Sequence, residues 1–270
     1  MNDAIQFLAA PIAMCFILAG IHCYLGLHVL ARGVIFVDLS LAQVAAFGAT
    51  LALLLGMDHG SSGAYFLSLG STFVAALLFA LARKRERQFP QEAIIGITYA
   101  LGAGAVVLVV DRLAHGAEHI KELLVGQILW VTWPTVAKTA AIYTAVGLVH
   151  FAFRRQIIGA SFGHQQGGNA RWDFLFYALF GVVITSSVSV AGVLQVFAYL
   201  IVPALVSSLF CTTIRGRLLF GWVLGIVMSV IGMAMSYVWD FPSGAFIVVI
   251  FTLIPLVLLL VAPVLPTRGE

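Results

Sequence analysis

The sequence predicts an all-α fold, a polytopic membrane helix bundle of about nine transmembrane helices in a single domain over residues 1–270. Hydrophobic residues make up 62% of the chain and charged residues only 9%, whereas a soluble domain carries about 25% charged residues. Apolar stretches of about 20 residues, the length that crosses the hydrocarbon core of a bilayer, recur along the chain. Basic residues gather in alternate connections between these stretches. Together these observations disfavour a soluble enzyme.

The apolar stretches give nine predicted spans, whose ends are set by flanking charge, Gly or Pro. In chain order the spans cover about 5–31, 38–56, 64–82, 92–110, 135–153, 173–190, 192–211, 218–239 and 244–263. The stretch 119–133 is apolar but too short to cross, so it predicts a re-entrant or interfacial segment. Its Trp130 and Trp133 suit a membrane interface, where Trp is enriched.

The distribution of basic residues predicts the orientation of the bundle. Eleven of the fourteen Lys and Arg residues fall on one side, namely Arg32, Arg83, Lys84, Arg85, Arg87, Arg154, Arg155, Arg171, Arg215, Arg217 and Arg268. The other side has Arg112, Lys121 and Lys138. Because cytoplasmic connections are enriched in Lys and Arg, the first side is predicted to be cytoplasmic. The N-terminus then lies outside, the C-terminus lies in the cytoplasm, and the number of spans is odd.

The sequence contains no motif for nucleotide hydrolysis or other catalysis. None of the lysines follows a glycine, so the chain lacks a P-loop. HExxH and Ser–His–Asp spacings are absent too, and an intramembrane protease stays open only because Ser, His and Asp occur in spans. No basic face with interleaved aromatic residues predicts nucleic-acid binding. The chain is therefore predicted to be no enzyme and to bind no cofactor of its own.

Ionisable and amide side chains inside the predicted spans are the candidate functional residues, because such groups are costly at membrane depth. They are His22, Asp38, Gln43, Glu92 and Gln195. Asp38 has two interpretations: it caps its helix and pairs with Arg32, or it coordinates a divalent cation. Glu92 is either a helix cap or functional, and His22 either packs in the core or binds metal. Gln43 lies about 140° around the helix from Asp38, so one helix face does not present both to one ion.

The longest predicted cytoplasmic connection, residues 154–172, carries a weak apolar pattern followed by a Gly-rich exit. Ile157, Ile158 and Phe162 form that pattern. It predicts a short helix lying across the cytoplasmic face, and the alternative is a plain connecting loop.

Five segments carry a resemblance to a known family. They are LARGVIFVDLSLAQVAAFG (30–48), QEAIIGITYALGAG (91–104), ELLVGQILWVTW (122–133), AGVLQVFAYLIVPALVSSLF (191–210) and SYVWDFPSGAFIVV (236–249). In this order they resemble the membrane permease subunits of ABC transporters that import zinc, manganese or iron. The resemblance covers nearly the whole chain. One departure stands in the first segment, where the family usually has Ser-His and this chain has Leu41 and Ala42, followed by Gln43.

The resemblance implies a single transmembrane permease domain in the cell inner (cytoplasmic) membrane. It implies a homodimer that works with separate ABC ATPase subunits, which bind the ATP, and with an extracytoplasmic metal-binding protein. Zinc and manganese are the expected cargoes and iron is a further one; imidazole ligands suit zinc, whereas carboxylate and amide oxygens suit manganese. A permease for a metal chelate or cobalamin-like ligand, and an ion-coupled secondary transporter, are the alternatives.

Three groups of residues are assigned to this function. Asp38 and His22 are the predicted metal ligands, and Gln43 and Gln195 are predicted to line the same path. Glu118, His119 and Glu122 are candidates for an outer entrance, with a solvated loop as the alternative. The predicted contact with the ATPase lies within 159–170 and includes Gly159, Phe162, Gly163 and His164.

Overall fold

The computed structural model describes residues 2–58, 60–113, 116–163 and 169–261. Over these ranges the chain folds into helices and has no strand, which confirms the predicted all-α class. The helices α1 to α10 are Asn2–Arg32, Val37–Leu54, Ser62–Lys84, Gln91–Val110, Gly116–Val125, Trp133–Ala152, Arg154–Phe162, Ala170–Phe210, Ile214–Trp239 and Ser243–Val261. A 3₁₀ turn, Ile128–Trp130, separates α5 from α6.

Eight of the helices in the described ranges are long and apolar enough to cross a membrane. The two others, α5 and α7, have 10 and 9 residues. They correspond to the stretch predicted as re-entrant or interfacial and to the short helix predicted in the connection 154–172. Trp130 and Trp133, near the end of the first stretch, are both more than half exposed, as expected at a membrane interface.

Helix α8 accounts for two of the nine predicted spans, because the chain reverses direction inside it. Its backbone leaves helical geometry at Gly192, with φ 74° and ψ 164°. Before Gly192, Asp173 contacts Arg32 and Ser187 contacts His22, so the first half of α8 runs antiparallel to α1. After Gly192, Gly26 packs against Leu200 and Ala204, near the Arg32 end of α1 again. The two halves therefore cross the bundle in opposite directions, which brings the described crossings to nine.

Two glycines allow the segment formed by α5 and the 3₁₀ turn, which we call the outer segment, to pack against the reversal in α8. Gly126 and Gly192 both have positive φ, and a Cβ on either would overlap the backbone of the other segment. The backbone amide of Gln127 donates to the carbonyl of Val190 at 3.0 Å. The α5 and 3₁₀ segment is thus held against the turn of α8 without crossing the membrane.

The two halves of α8 form the centre of the bundle. The first half packs along α3 and α1, as shown by the hydrogen bonds between Tyr65 and Ser186 and between His22 and Ser187. The second half packs along α9 and α10 through Tyr199, which hydrogen bonds to Ser229 and stacks edge-on against Phe251. Many apolar side chains of both halves are fully buried, so α8 positions the helices that carry the polar groups.

The basic ends of several spans meet on one face. Arg32 at the end of α1 and Arg83 at the end of α3 both approach Asp173 at the start of α8. Helix α7 lies on the same face, since Ser161 contacts Arg32. These contacts confirm that these basic residues share one side of the membrane, the side that their charge assigns to the cytoplasm.

Candidate functional site

Two acidic side chains from neighbouring helices lie close together at the cytoplasmic ends of α2 and α4. Asp38 is in the first turn of α2, and Glu92 is in the first turn of α4. Glu92 contacts the backbone amide of Phe36, two residues before Asp38, which makes the two acidic side chains neighbours. Asp38 is only 1% exposed. We call Asp38 and Glu92 the carboxylate pair.

The carboxylate pair is short of hydrogen-bond partners. Neither oxygen of Asp38, nor Oε2 of Glu92, has a side-chain hydrogen-bond partner in the described part of the chain, and the Asp38 carboxylate is approached only by the backbone amides of its own residue and Leu39. Oε1 of Glu92 accepts one long hydrogen bond, of 3.4 Å, from the backbone amide of Phe36. A buried carboxylate without a partner is costly, and a bound cation removes that cost. Of the two interpretations of Asp38, pairing with Arg32 is wrong here, because Arg32 binds Asp173 at 2.7 Å.

One face of α2 leads from the carboxylate pair toward the outer side. Ala45 and Ala49 lie within about 20° of Asp38 around the helix axis, and Ala42 lies about 40° away. Ala45 is about 10 Å from Asp38 along that axis. Ala42 and Ala45 are almost fully buried, so neighbouring helices pack closely against this face. We call Asp38, Ala42, Ala45 and Ala49 the α2 stripe.

The outer end of the α2 stripe opens into a cavity of about 500 Å³ between α2, α3, α5 and α8. Ala45 and Ala49 line it, together with His119 and Glu122 of α5. His119 hydrogen bonds to Thr50 at 3.1 Å, and Glu122 accepts a hydrogen bond from Gln127 at 2.7 Å. Two of the three predicted entrance residues therefore face one cavity, and the third, Glu118, is exposed on α5.

A lysine also lines this outer cavity. The ammonium of Lys138, in the second turn of α6, lies 5.5 Å from the centre of the Tyr65 ring, a cation–π arrangement. A positive charge in the wall repels a bare metal cation and attracts an anionic ligand. The outer cavity thus has mixed electrostatic character, with Glu122 and Lys138 in the same lining.

The structure places His22 in the core of the bundle, away from the hydrogen-bond-poor carboxylate pair. Its Nδ1 hydrogen bonds to the carbonyl of Leu18 at 2.8 Å, and its Nε2 to the hydroxyl of Ser187 at 3.0 Å. Ser187 also bonds to Tyr143, whose ring lies edge-on to the imidazole. Both ring nitrogens of His22 are therefore engaged in hydrogen bonds in this conformation.

The two predicted path amides lie in different places. Gln43 faces α4, where Gly102 packs directly against its backbone and Cβ. This agrees with its predicted position on a different face of α2 from Asp38. Gln195 is fully buried near Gly244, and its amide approaches the hydroxyl of Tyr199. Gln195 is on the second half of α8, close below the outer segment.

A single copy of the chain does not assemble a complete metal site from these residues. Within the described ranges no three His, Cys, Asp or Glu side chains come together as a possible metal group. The structure brings Asp38 together with Glu92, rather than with His22. A divalent ion at the carboxylate pair would need further ligands from backbone oxygens, water or a second chain.

The predicted ATPase contact lies on the cytoplasmic face. Gly159 and Phe162 belong to α7, and Gly163 follows directly as its C-cap. His164 lies outside the described residues. The end of α7 borders a groove of about 590 Å³, whose wall also includes Arg217.

The sequence did not single out four of the polar residues that matter here. Asp173 and Ser161 bind Arg32 across separations of 141 and 129 residues. Lys138 appeared only as a basic residue inside a predicted span, and Ser187, which contacts His22, was not identified. Of these four residues, only Lys138 could have been identified from the sequence, because a basic residue inside a predicted span is unusual.

Comparison with known proteins connects these features to a family. The profile of the ABC 3 transport family matches residues 4–262. The manganese transport system membrane protein MntC of Listeria innocua is 22% identical over 245 residues, covering 88% of this chain and 85% of that protein. The chelated iron transport system membrane protein YfeD of Yersinia pestis is 24% identical over 287 residues, covering 100% and 93%.

A solved structure shares the fold. PsaBC from Streptococcus pneumoniae, determined in complex with Fab, matches with a TM-score of 0.76 at 19% sequence identity, covering 93% of this chain and 91% of that chain. The architecture, the multi-pass topology and the profile match over nearly the whole length agree with the resemblance that the five segments predicted. This chain, a multi-pass protein of the cytoplasmic membrane, belongs to the ABC 3 transport family.

Proposed function

We propose that this chain is the permease subunit of an ABC importer that carries a divalent metal ion across the cytoplasmic membrane. The observation that carries the proposal is the carboxylate pair, whose buried oxygens have no side-chain partner in the described part of the chain. Charged groups at membrane depth normally mark an ion path. The relatives named for manganese and chelated iron transport support the same cargo class.

The proposed path follows the α2 stripe. An ion enters at the outer cavity, where His119 and Glu122 line the wall. It then passes the alanines of the stripe and reaches Asp38, near the cytoplasmic end of α2. His22 and Gln195 are further candidates for this path, and their use requires a conformation in which their present surroundings rearrange.

The proposed assembly is a homodimer. Divalent ions bound by oxygen ligands take about six of them, more than one carboxylate pair supplies. A second copy that faces the first across the path contributes a second pair. Such an oxygen-rich site favours manganese over zinc, because no imidazole stands at position 42.

The energy source is placed on partner subunits. ATPase subunits that bind ATP dock at α7 through Gly159, Phe162 and Gly163, with His164 as a further candidate. An extracytoplasmic metal-binding protein docks above the outer cavity. The chain itself contributes the path and holds no cofactor.

A metal chelate is a second candidate cargo, and Lys138 favours it. The outer cavity, at about 500 Å³, is much larger than a single ion needs. A fixed ammonium in its wall attracts an anionic chelate and opposes a bare cation. The choice between the two cargoes therefore depends on what Lys138 does to uptake.

The test is metal uptake by proteoliposomes that contain the permease with its ATPase and binding protein. Manganese, zinc and ferrous iron are compared, each free and as an anionic chelate, with and without ATP. ATP-dependent uptake of free manganese, unchanged or increased by Lys138→Met, is the expected result. The exposed Lys121→Met serves as the matched control.

Three other outcomes would each point elsewhere. Uptake of the chelate alone, lost in Lys138→Met but kept in Lys121→Met, would favour the second candidate. Uptake that runs without ATP or ATPase would favour an ion-coupled transporter. A complex that hydrolyses ATP but moves no metal in either form would contradict the proposed function.

A further inference from the structure

Helix α7 depends on a few contacts for its position. It has nine residues, and a helix this short is marginal by itself in water. Ile157 and Ser161 are its buried residues. The Ser161 hydroxyl bonds to Nδ1 of His28 at 2.8 Å and accepts from Nε of Arg32 at 2.9 Å. The carbonyl of Ala160 accepts from Arg83 at 3.1 Å.

The rigid guanidinium group of Arg32 makes three contacts at the same time. Its Nε binds Ser161 of α7, and its Nη1 binds Oδ1 of Asp173 on α8 at 2.7 Å. The guanidinium also lies 4.1 Å from the centre of the Phe176 ring. The side chain is 0% exposed. A planar guanidinium can hold all three contacts together, whereas the ammonium of lysine cannot.

Only four residues connect Arg32 to the helix that carries Asp38; one of them, Val34, is buried, and the other three are exposed. Val34 is 2% exposed, and its amide donates to the carbonyl of Val29 at 3.3 Å. The amide of Phe36 donates to Glu92 of the carboxylate pair. Arg32 thus has a short route to both members of the pair, through four residues of chain to α2 and through the 3.4 Å contact of Phe36 with Glu92.

We propose that Arg32 is a positioning residue that couples α7 to the carboxylate pair. A movement of α7 pulls on Ser161, the guanidinium transmits it to the end of α1, and the connection 33–36 changes the position of Phe36 and Asp38. Asp173 is the fixed point against which Arg32 moves, because it also binds Arg83 at 3.5 Å. The inference rests on the proposed function, since it requires an ATPase at α7 and a metal at the pair.

The test compares ATP hydrolysis and manganese uptake in the same proteoliposomes, with the permease assembled with its ATPase and binding protein. Arg32→Lys keeps the positive charge but removes the planar guanidinium group that binds Ser161 and Asp173 together. We expect ATP hydrolysis to change little and manganese uptake to fall, so that the ATP hydrolysed per manganese ion rises about tenfold. Arg215→Lys, at an exposed arginine on the same face, should leave the ratio at the wild-type value.

If Arg32 has only a structural role, its replacement would lower assembly and both activities in proportion. The ratio of ATP hydrolysed to manganese transported would then stay unchanged, and that result would overturn the inference.

If Arg32→Lys does not assemble, Ser161→Ala provides the test, because it removes the α7 contact and keeps the ion pair between Arg32 and Asp173. It should raise the ratio about threefold, and an unchanged ratio again contradicts the inference. A wild-type complex that moves no metal would instead contradict the proposed function, and the two failures are thus distinguishable.

Discussion

Two aspartates at the cytoplasmic ends of spans have nearly the same burial and opposite surroundings. Asp173 is 0% exposed and Asp38 is 1% exposed, and each lies in the first turn of its helix. Asp173 binds Arg32 at 2.7 Å and Arg83 at 3.5 Å. Asp38 has a second acid nearby and, within the described residues, no basic or other side-chain partner for either oxygen, only backbone amides of its own first turn. Under the proposed function, the difference separates a carboxylate that stabilises the fold from one that is available to a cargo.

The comparison is most strongly tested by removing the charge of Asp173. Asp173→Asn leaves two arginines together without their counter-ion, one of them with a fully buried side chain. Breaking a buried ion pair from one side typically costs about 3 kcal/mol or more. We expect the free energy of unfolding in detergent to fall by that amount.

Asp111→Asn is the matched control, because Asp111 is exposed at the C-cap of α4. It should change the free energy of unfolding by less than about 0.5 kcal/mol. Equal effects of the two substitutions would show that the ion pair contributes little, and the comparison with Asp38 would then lose its basis.

The Asp→Asn change made at Asp38 should reduce transport without lowering the stability of the fold. Asp38→Asn keeps the shape and deletes a buried charge that has no cation to balance it in the metal-free protein. We expect unchanged or slightly higher stability, an assembled complex with active ATPase, and manganese uptake reduced about tenfold or more. Uptake in proteoliposomes tests the effect on transport, and unfolding in detergent, measured on the same preparation, tests the effect on stability. Normal uptake together with lower stability would assign Asp38 a structural role.

The sequence predicted the fold because the signals for it are local. Apolar stretches define crossings wherever they occur, and the reversal in α8 at Gly192 lies one residue beyond the break that the spans 173–190 and 192–211 predicted. The short α7 was also predictable from Ile157, Ile158 and Phe162, although Ile158 is 36% exposed and only Ile157 is buried. Local patterns give helices and their approximate ends, but they do not show which turn of a helix faces the core.

The site was predictable only in part, because its physics is not local. Asp38 was identified as a rare charge at membrane depth. Its nearest basic residue in the sequence, Arg32, in fact binds Asp173, at 141 positions away. Glu92 resembled an ordinary acid at a helix N-terminus until the packing of α2 on α4 placed it beside Asp38. Partners across such separations follow from the tertiary packing, which one sequence does not display.

The smallest expected effect concerns the position where this chain departs from the family pattern. Ala42 lies one turn from Asp38 on the α2 stripe, at the place where the resembled family usually has a histidine. An imidazole there would add a nitrogen ligand beside the carboxylate pair, and nitrogen ligands suit zinc more than manganese. We expect Ala42→His to raise the ratio of zinc to manganese uptake about threefold.

Packing makes a volume control necessary, because Ala42 is 1% exposed and a larger side chain strains its surroundings. Ala42→Leu adds bulk without a ligand atom, so it should lower the uptake of both metals and leave their ratio unchanged. If His and Leu give the same ratio in competitive uptake, the side chain at position 42 does not reach the ion. The α2 stripe would then be a packing surface, and the path from the outer cavity to the carboxylate pair would have to follow another helix.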